Sequence, residues 1–138
     1  MVNRGFEIGL SEVAMHEQVG LLAYSPLAQG TLTGKYLGGQ MPQGSRLALF
    51  GDGPLMMRYK GDKTQQAIEM YVNLAKKYEI DPAQLAIQFC NIQPFVTSTI
   101  IGATTMEQLK TCIDSVDLDI TKEIINEIRS IHKEIQNP

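Results

Sequence analysis

A chain of 138 residues, 43% of them hydrophobic, is long enough for one core of ordinary size and reads as a soluble globular domain. Its 12 Lys and Arg against 15 Asp and Glu give a net charge of -3 with no local basic run, which excludes the long-range attraction that nucleic acid requires. No apolar run is long enough to span a membrane, and Met1-Val2-Asn3-Arg4-Gly5 lacks the apolar heart of a signal peptide, so the expectation is a cytoplasmic protein without a membrane partner.

In chain order, Leu10, Val13, Ala14 and Glu17 recur at helical spacing after Gly9, which predicts a short amphipathic helix over residues 9–18. A strand is expected at Gly20 to Tyr24. From Ser25 to Asp62 the chain holds eight of its 12 glycines and three of its six prolines with no sustained period, which predicts a long irregular stretch. Loops of that length are usually functional or disordered. Ala67, Ile68, Tyr71, Val72, Leu74, Ala75 and Tyr78 then form one helical stripe. Asp81-Pro82 supplies the cap and first residue of a further helix with Leu85, Ala86, Phe89, Cys90 and Ile92 on its apolar face, and Pro94 ends it.

Thr97-Ser98-Thr99-Ile100-Ile101 is β-branched enough to be a strand, and Thr105 with Gln108 makes a capping box that opens another helix. The last helix, about residues 121–136, carries Ile124, Ile125, Ile128, Ile131 and Ile135 on one side and charges on the other, as a covering helix does. Cys90 and Cys112 lie in apolar helical patterns without a CxxC spacing and read as reduced, mostly buried thiols. Repeats, low-complexity tracts and linkers are absent from the sequence, so residues 1–138 are expected to form a single domain with no internal boundary.

Strand, helices, strand, helix implies a parallel pair joined by a right-handed crossover, which is α/β architecture. Helices can cover one face of such a pair. The other face and both edges stay open, so the pattern reads as an incomplete unit.

Anion chemistry follows from two segments. Gly102, Ala103 and Thr104 lead into the helix capped at Thr105, and a helix N-terminus offers unpaired N–H groups and a partial positive charge. The plainer reading is that Gly102 permits the turn and Thr105 caps the helix. Ser25-Pro26-Leu27, followed by Gly30, Gly34 and Lys35, is a second anion-compatible loop on the same, C-terminal side of the sheet, where α/β ligand sites occur. Gly38-Gly39 lacks the strand-to-helix setting of a Rossmann fingerprint.

The run Leu21-Leu22-Ala23-Tyr24-Ser25-Pro26-Leu27-Ala28-Gln29-Gly30 with Gly34-Lys35-Tyr36, and the run Ile100-Ile101-Gly102-Ala103-Thr104-Thr105-Met106-Glu107-Gln108-Leu109, resemble segments of the aldo-keto reductases. The likeness is strongest to the branch that holds the Tas-like bacterial reductases and the potassium-channel beta subunits. It covers essentially all 138 residues and matches only the second half of the family's barrel. The implied fold is therefore the C-terminal part of a (β/α)8 TIM barrel, its last strands and covering helices. The implied cofactor is NADP, with weak or absent binding expected in this part alone. By resemblance Tyr24 stacks on the nicotinamide, while Ser25, Pro26, Leu27, Gln29, Gly30, Lys35 and Tyr36 follow the pyrophosphate. Arg46 matches the arginine at the phosphate-bearing end, and Gly102, Thr104 and Gln108 match the residues at the adenosine 2′-phosphate. As plainer readings, Tyr24 and Tyr36 are core or rim aromatics and Lys35 and Arg46 are solvated loop charges.

Where the family often has Glu and then Asn for the adenine and its ribose, this chain has Thr111 and Cys112. The family's catalytic tyrosine, lysine, aspartate and histidine belong to earlier strands, so no residue here is assigned as catalytic. His16 and His132 carry no ligand spacing and read as structural or surface residues, and Asp114, Asp117 and Asp119 as caps and solvated charges; no metal is assigned. Three functions remain open: part of an NADP-dependent oxidoreductase of carbonyl compounds, a binding or oligomerisation module, and an inactive remnant. The partners expected are the nicotinamide cofactor and either the N-terminal half of the barrel or a second copy of the chain.

Overall fold

The structure, a computed structural model, describes residues 1–51 and 53–138. In chain order it has helix α1 (Leu10–His16), strand β1 (Leu21–Tyr24), helices α2 (Arg46–Phe50), α3 (Pro54–Met57), α4 (Asp62–Lys77) and α5 (Pro82–Asn91), strand β2 (Val96–Ile100), and helices α6 (Met106–Asp114) and α7 (Lys122–Glu134). Tight 3₁₀ turns lie at Gly5–Glu7, Ala28–Thr33, Leu37–Gly39 and Ser115–Asp117.

The long helices start and stop where local chemistry tells them to. Asp81 accepts from the N–H groups of Ala83 at 2.8 Å and Gln84 at 3.1 Å, with Pro82 as the first helical residue of α5. Thr121 accepts from Ile124 N–H at 3.4 Å to open α7. Helix α4 has Asp62 in its first turn and Lys76 and Lys77 in its last, the sense that the helix dipole favours.

The core is a helical layer. Ile68, Tyr71, Val72 and Ala75 of α4 meet Leu85, Ala86 and Phe89 of α5 and Ile124, Ile128 and Ile131 of α7, all buried. Lys77 and Tyr78 both donate to Glu127 Oε1, at 2.7 and 2.5 Å, pinning the end of α4 to α7.

Strands β1 and β2 pair in parallel, Leu21 beside Val96 and, after a register shift, Leu22 beside Ser98, Ala23 beside Thr99 and Tyr24 beside Ile100. Next to the shift, a Cβ on Gly20 would lie 1.6 Å from the Thr97 hydroxyl oxygen, so the approach of the two strands there requires glycine. Alternation sorts the rest. Leu21, Ala23, Val96 and Thr99 are half-buried toward the helices, with Thr99 Oγ1 donating to Asn91 Oδ1 of α5 at 2.6 Å. Leu22, Tyr24, Ser98 and Ile100 stand on the other face, where Leu22 is 58% and Tyr24 68% exposed.

Two expectations change. The stretch from Ser25 to Asp62 is not free of regular structure: it holds α2, capped by Ser45 accepting from Ala48 N–H, and α3, opened by Pro54. Asp52 of that stretch lies outside the described residues. Helix α1 is shorter than expected and its apolar positions Leu10, Val13 and Met15 are all exposed, with only Ser11 buried. Cys90 is half-buried and Cys112 buried, both are free thiols, and burial pushes both thiol pKa values up.

His132 of α7 is half-buried, its Nδ1 has no hydrogen-bond partner among the described residues, and desolvation, helped by the charge of Arg4, lowers its pKa below the ordinary 6.5. The folded state prefers the neutral ring, so this contribution to stability is complete above pH 6.5 and is lost as the pH falls through the lower folded value. The urea midpoint is expected to drop as the pH is taken below 6.5, and His132→Gln is expected to flatten that drop; an unchanged slope in the variant rules the residue out as its source.

Candidate functional site

Because β1 and β2 run parallel, the chain leaves both at the same end of the sheet, and the paired residues Tyr24 and Ile100 are the last of each. Two loops start there.

The first holds its shape at a cost. Ser25, Ala28 and Gln29 have φ of 58°, 50° and 59°, in the left-handed region that non-glycine residues avoid by about 1 kcal/mol or more each. Hydrogen bonds hold them there: Ala28 N–H to Ser25 O at 2.9 Å, Gly30 N–H to Leu27 O at 2.9 Å, Thr31 Oγ1 to Ala28 O at 2.8 Å, and Gln29 Nε2 to Ser25 Oγ at 3.0 Å. Pro26 and Ala28 are buried beneath this turn, while Ser25, Leu27, Gln29 and Gly30 are half-buried.

Gly30, at φ 91°, is the floor of a cradle. A Cβ there would meet Lys35 Cε at 3.0 Å and Nζ at 3.1 Å, so the lysine folds back over the bare glycine. Lys35 Nζ also lies 5.2 Å from the centre of the Tyr36 ring. Tyr36 is buried, and its hydroxyl accepts from Leu47 N–H at 3.4 Å, which brings the start of α2 and the exposed Arg46 to the same loop. Ser25, Gly30, Lys35, Tyr36 and Arg46, scattered in sequence, thus belong to one connected surface.

The second loop is open. Gly102, Ala103, Thr104, Thr105 and Gln108 are all exposed. Thr105 caps α6, accepting from Gln108 N–H at 3.2 Å, but the Gln108 side chain passes the Thr105 amide of a capping box and accepts instead from Thr104 N–H at 3.0 Å and Thr104 Oγ1 at 3.1 Å. Among the described residues no hydrogen bond or ion pair joins this loop to the Lys35 and Arg46 surface. What the two share is their origin on one rim.

Other groups are structural. Lys77, Tyr78 and Glu127 converge, yet Tyr78 has its pKa raised to about 12, first by its bond to Glu127, the opposite of what a proton donor at neutral pH requires. Burial raises Tyr71 to about 12, and its hydroxyl donates to Met1 O at 3.5 Å. His16 is exposed beside Glu17, and no group of three metal-binding side chains occurs among the described residues. Two residues that the sequence reading passed over lie near the rim: Arg58 and Tyr59 line the same cavity, about 420 Å³, as Tyr24 and Ser25. Their only sequence signal is a short basic-aromatic run, Arg58-Tyr59-Lys60, in an otherwise acidic chain.

The model of the Aldo/keto reductase family matches residues 1–133. The chain is 50% identical over 133 residues to "Protein tas" of Escherichia coli (strain K12), covering 96% of this chain and 38% of that protein. It is 36% identical over 115 residues to "Probable voltage-gated potassium channel subunit beta" of Oryza sativa subsp. japonica, covering 82% of this chain and 35% of that one. To "L-glyceraldehyde 3-phosphate reductase" of Escherichia coli (strain K12) it is 32% identical over 111 residues, covering 79% and 32%. The chain therefore spans less than half the length of these relatives. Over that span the match is nearly continuous, and the chain belongs to the aldo-keto reductase family.

Proposed function

We propose that this chain forms the cofactor-holding part of an NADP-dependent oxidoreductase that reduces aldehydes or ketones. Residues 1–138 act as one domain, the last strands and covering helices of a (β/α)8 barrel. The observation that carries this reading is the pair of loops at one end of the parallel strands, one of them strained and built around the Gly30 and Lys35 cradle. Backbone held in disfavoured φ is kept only where surrounding structure enforces it, and it concentrates at ligand sites.

The residues present suit the group. The Tyr24 ring is exposed at the strand end, available for stacking on the nicotinamide. Ser25, Pro26, Leu27, Gln29, Gly30, Lys35 and Tyr36 follow the pyrophosphate, with Lys35 supplying charge over a turn free of side-chain bulk. Arg46 and, on the second loop, Gly102, Thr104 and Gln108 hold the adenosine 2′-phosphate end; Thr104 and Gln108 are already locked to one another, which reduces the ordering cost of binding. NADPH, when bound, supplies the hydride. A relative is named for reducing L-glyceraldehyde 3-phosphate, which supports a carbonyl substrate. No helix among the described residues is long and apolar enough to cross a membrane, which fits the cytoplasmic location we propose.

A second reading, a binding and oligomerisation module, is favoured by the uncovered sheet face. A compact protein of this mass exposes roughly 7,100 Å², and this chain exposes 8566 Å². The difference, roughly 1,400 Å², exceeds the ~800 Å² that each partner buries in an ordinary interface. The N-terminal half of the barrel or a second copy would cover it.

Three outcomes are expected. Alone, the chain does not oxidise NADPH with para-nitrobenzaldehyde, since none of its residues is a candidate proton donor; turnover lost on mutating this chain would overturn that. By calorimetry it binds NADP(H) more tightly than NAD(H), and Arg46→Ala removes about tenfold or more of the preference by deleting a charged partner of the 2′-phosphate, whereas equal binding of both cofactors refutes the assignment. In sedimentation equilibrium at micromolar concentration the chain self-associates and Leu22→Asp shifts it toward monomer; a compact wild-type monomer refutes the open-face argument.

A further inference from the structure

We propose that Arg58, together with Tyr59 and Tyr24, is an anion-recognition corner that selects carbonyl substrates bearing a carboxylate or phosphate; the carbonyl part of this statement rests on the function proposed above. The cavity beside β1 is lined by the whole strand, Leu21 to Tyr24, and by Ser25, Arg58 and Tyr59. Phe89, Phe95 and Leu21 also line it, together with Arg4 and Glu7, whose charges pair with one another. The charge without a carboxylate partner among the described residues that line it is Arg58, in the same cavity as Tyr24.

The corner is held in place from below. Tyr59 N–H donates to Met56 O at 3.0 Å, Gln65 Nε2 of α4 donates to Tyr59 O at 2.5 Å, and Met56 is buried at 5% exposure. The Arg58 guanidinium lies 5.9 Å from the centre of the Tyr59 ring, and the Tyr59 phenol feels it both as a charge and as a hydrogen-bond donor. Tyr59 and Tyr24 line the same cavity. Burial pushes the Tyr59 phenol up, which keeps it a neutral donor near pH 7.

Arg58 has capacity to spare. Arg4, Lys77 and Lys110 each close on a carboxylate, of Glu7, Glu127 and Asp114, whereas Arg58 pairs with none among the described residues. A guanidinium that gives one donor to a phenol keeps others in a planar fork that matches a carboxylate or phosphate. In a chain of net charge -3, an exposed cation that lines a cavity and has no carboxylate partner among the described residues favours anionic over neutral ligands. A substrate anchored there by its anionic end would turn its carbonyl end toward Tyr24.

The test titrates the full 138-residue chain with para-acetylbenzoate, its uncharged methyl ester and para-acetylphenyl phosphate, following the backbone amide signals of Tyr24, Arg58 and Tyr59 by NMR. One or both anions are expected to bind about tenfold or more tightly than the ester, and the tighter of the two identifies the preferred group. Arg58→Gln is expected to abolish the gap, Arg58→Lys to retain part of it, and Arg129→Gln, at an exposed cation of α7, to leave it intact. Equal binding of acid and ester, no response at millimolar ligand, or an undiminished gap in Arg58→Gln overturns the proposal. Loss of the cofactor assignment would appear separately, as a failure to bind NADP(H) while the gap persists.

Discussion

Parallel strands cannot be joined by a tight turn, so the chain that leaves β1 at Tyr24 must travel back along the sheet before it enters β2 at Val96. That obligation determines most of the molecule. The return path is made by α4 and α5; α5 packs on one face of the strands, and α4 and α5 form the core with α7. It also sends the first loop and the Gly102 loop out at the same end. Remove the parallel pairing and the two loops have no reason to be neighbours.

The consequence for packing is one-sided. A strand side chain points either to the helices or away from them, and here Leu21, Ala23, Val96 and Thr99 take the first direction and Leu22, Tyr24, Ser98 and Ile100 the second. The helical layer is well filled, with Ile128, Leu85 and Ala75 fully buried. The opposite face contributes almost nothing to the core. Helix α1 behaves in the same way: Leu10 and Val13 have the spacing of a buried stripe and nothing to be buried against. These residues have the composition of interior surface and the exposure of exterior surface.

Features set by neighbouring residues were legible in the sequence. Asp81-Pro82, Thr105 with Gln108, and the isoleucines of α7 mark helices by capping and period alone, and all three helices stand where those signals put them. Features set by distant contacts were not legible. Helices α2 and α3 are too short to carry a period, and what secures them is tertiary: Tyr36 accepting from Leu47 N–H, and Met56 buried beneath the loop. The site divides along the same line. Gly30, Gly34 and Lys35 are visible in one dimension as an anion-compatible run, whereas the fold-back of the lysine over Gly30 depends on the turn at that glycine and leaves no mark in spacing. The bond from Thr104 N–H to Gln108 Oε1 could not be told from the commoner capping box, because one residue of slack in a side chain leaves no trace in spacing. Arg58 and Tyr59 were invisible, since only folding carries them to Tyr24.

Gly20 stands at the far end of β1 from both loops, yet it governs which side chain reaches them. The Thr97 hydroxyl fills the space where a Cβ at position 20 would be, so the two strands engage like a key in a slot at that point. A side chain larger than hydrogen would displace Thr97, and one way to make room is to slide one strand past the other. Since side chains alternate, a slide of one residue would turn Tyr24 under the helices and bring Ala23 to the rim in its place. The reading frame of the whole rim is thus written at one glycine at the opposite end of the strand.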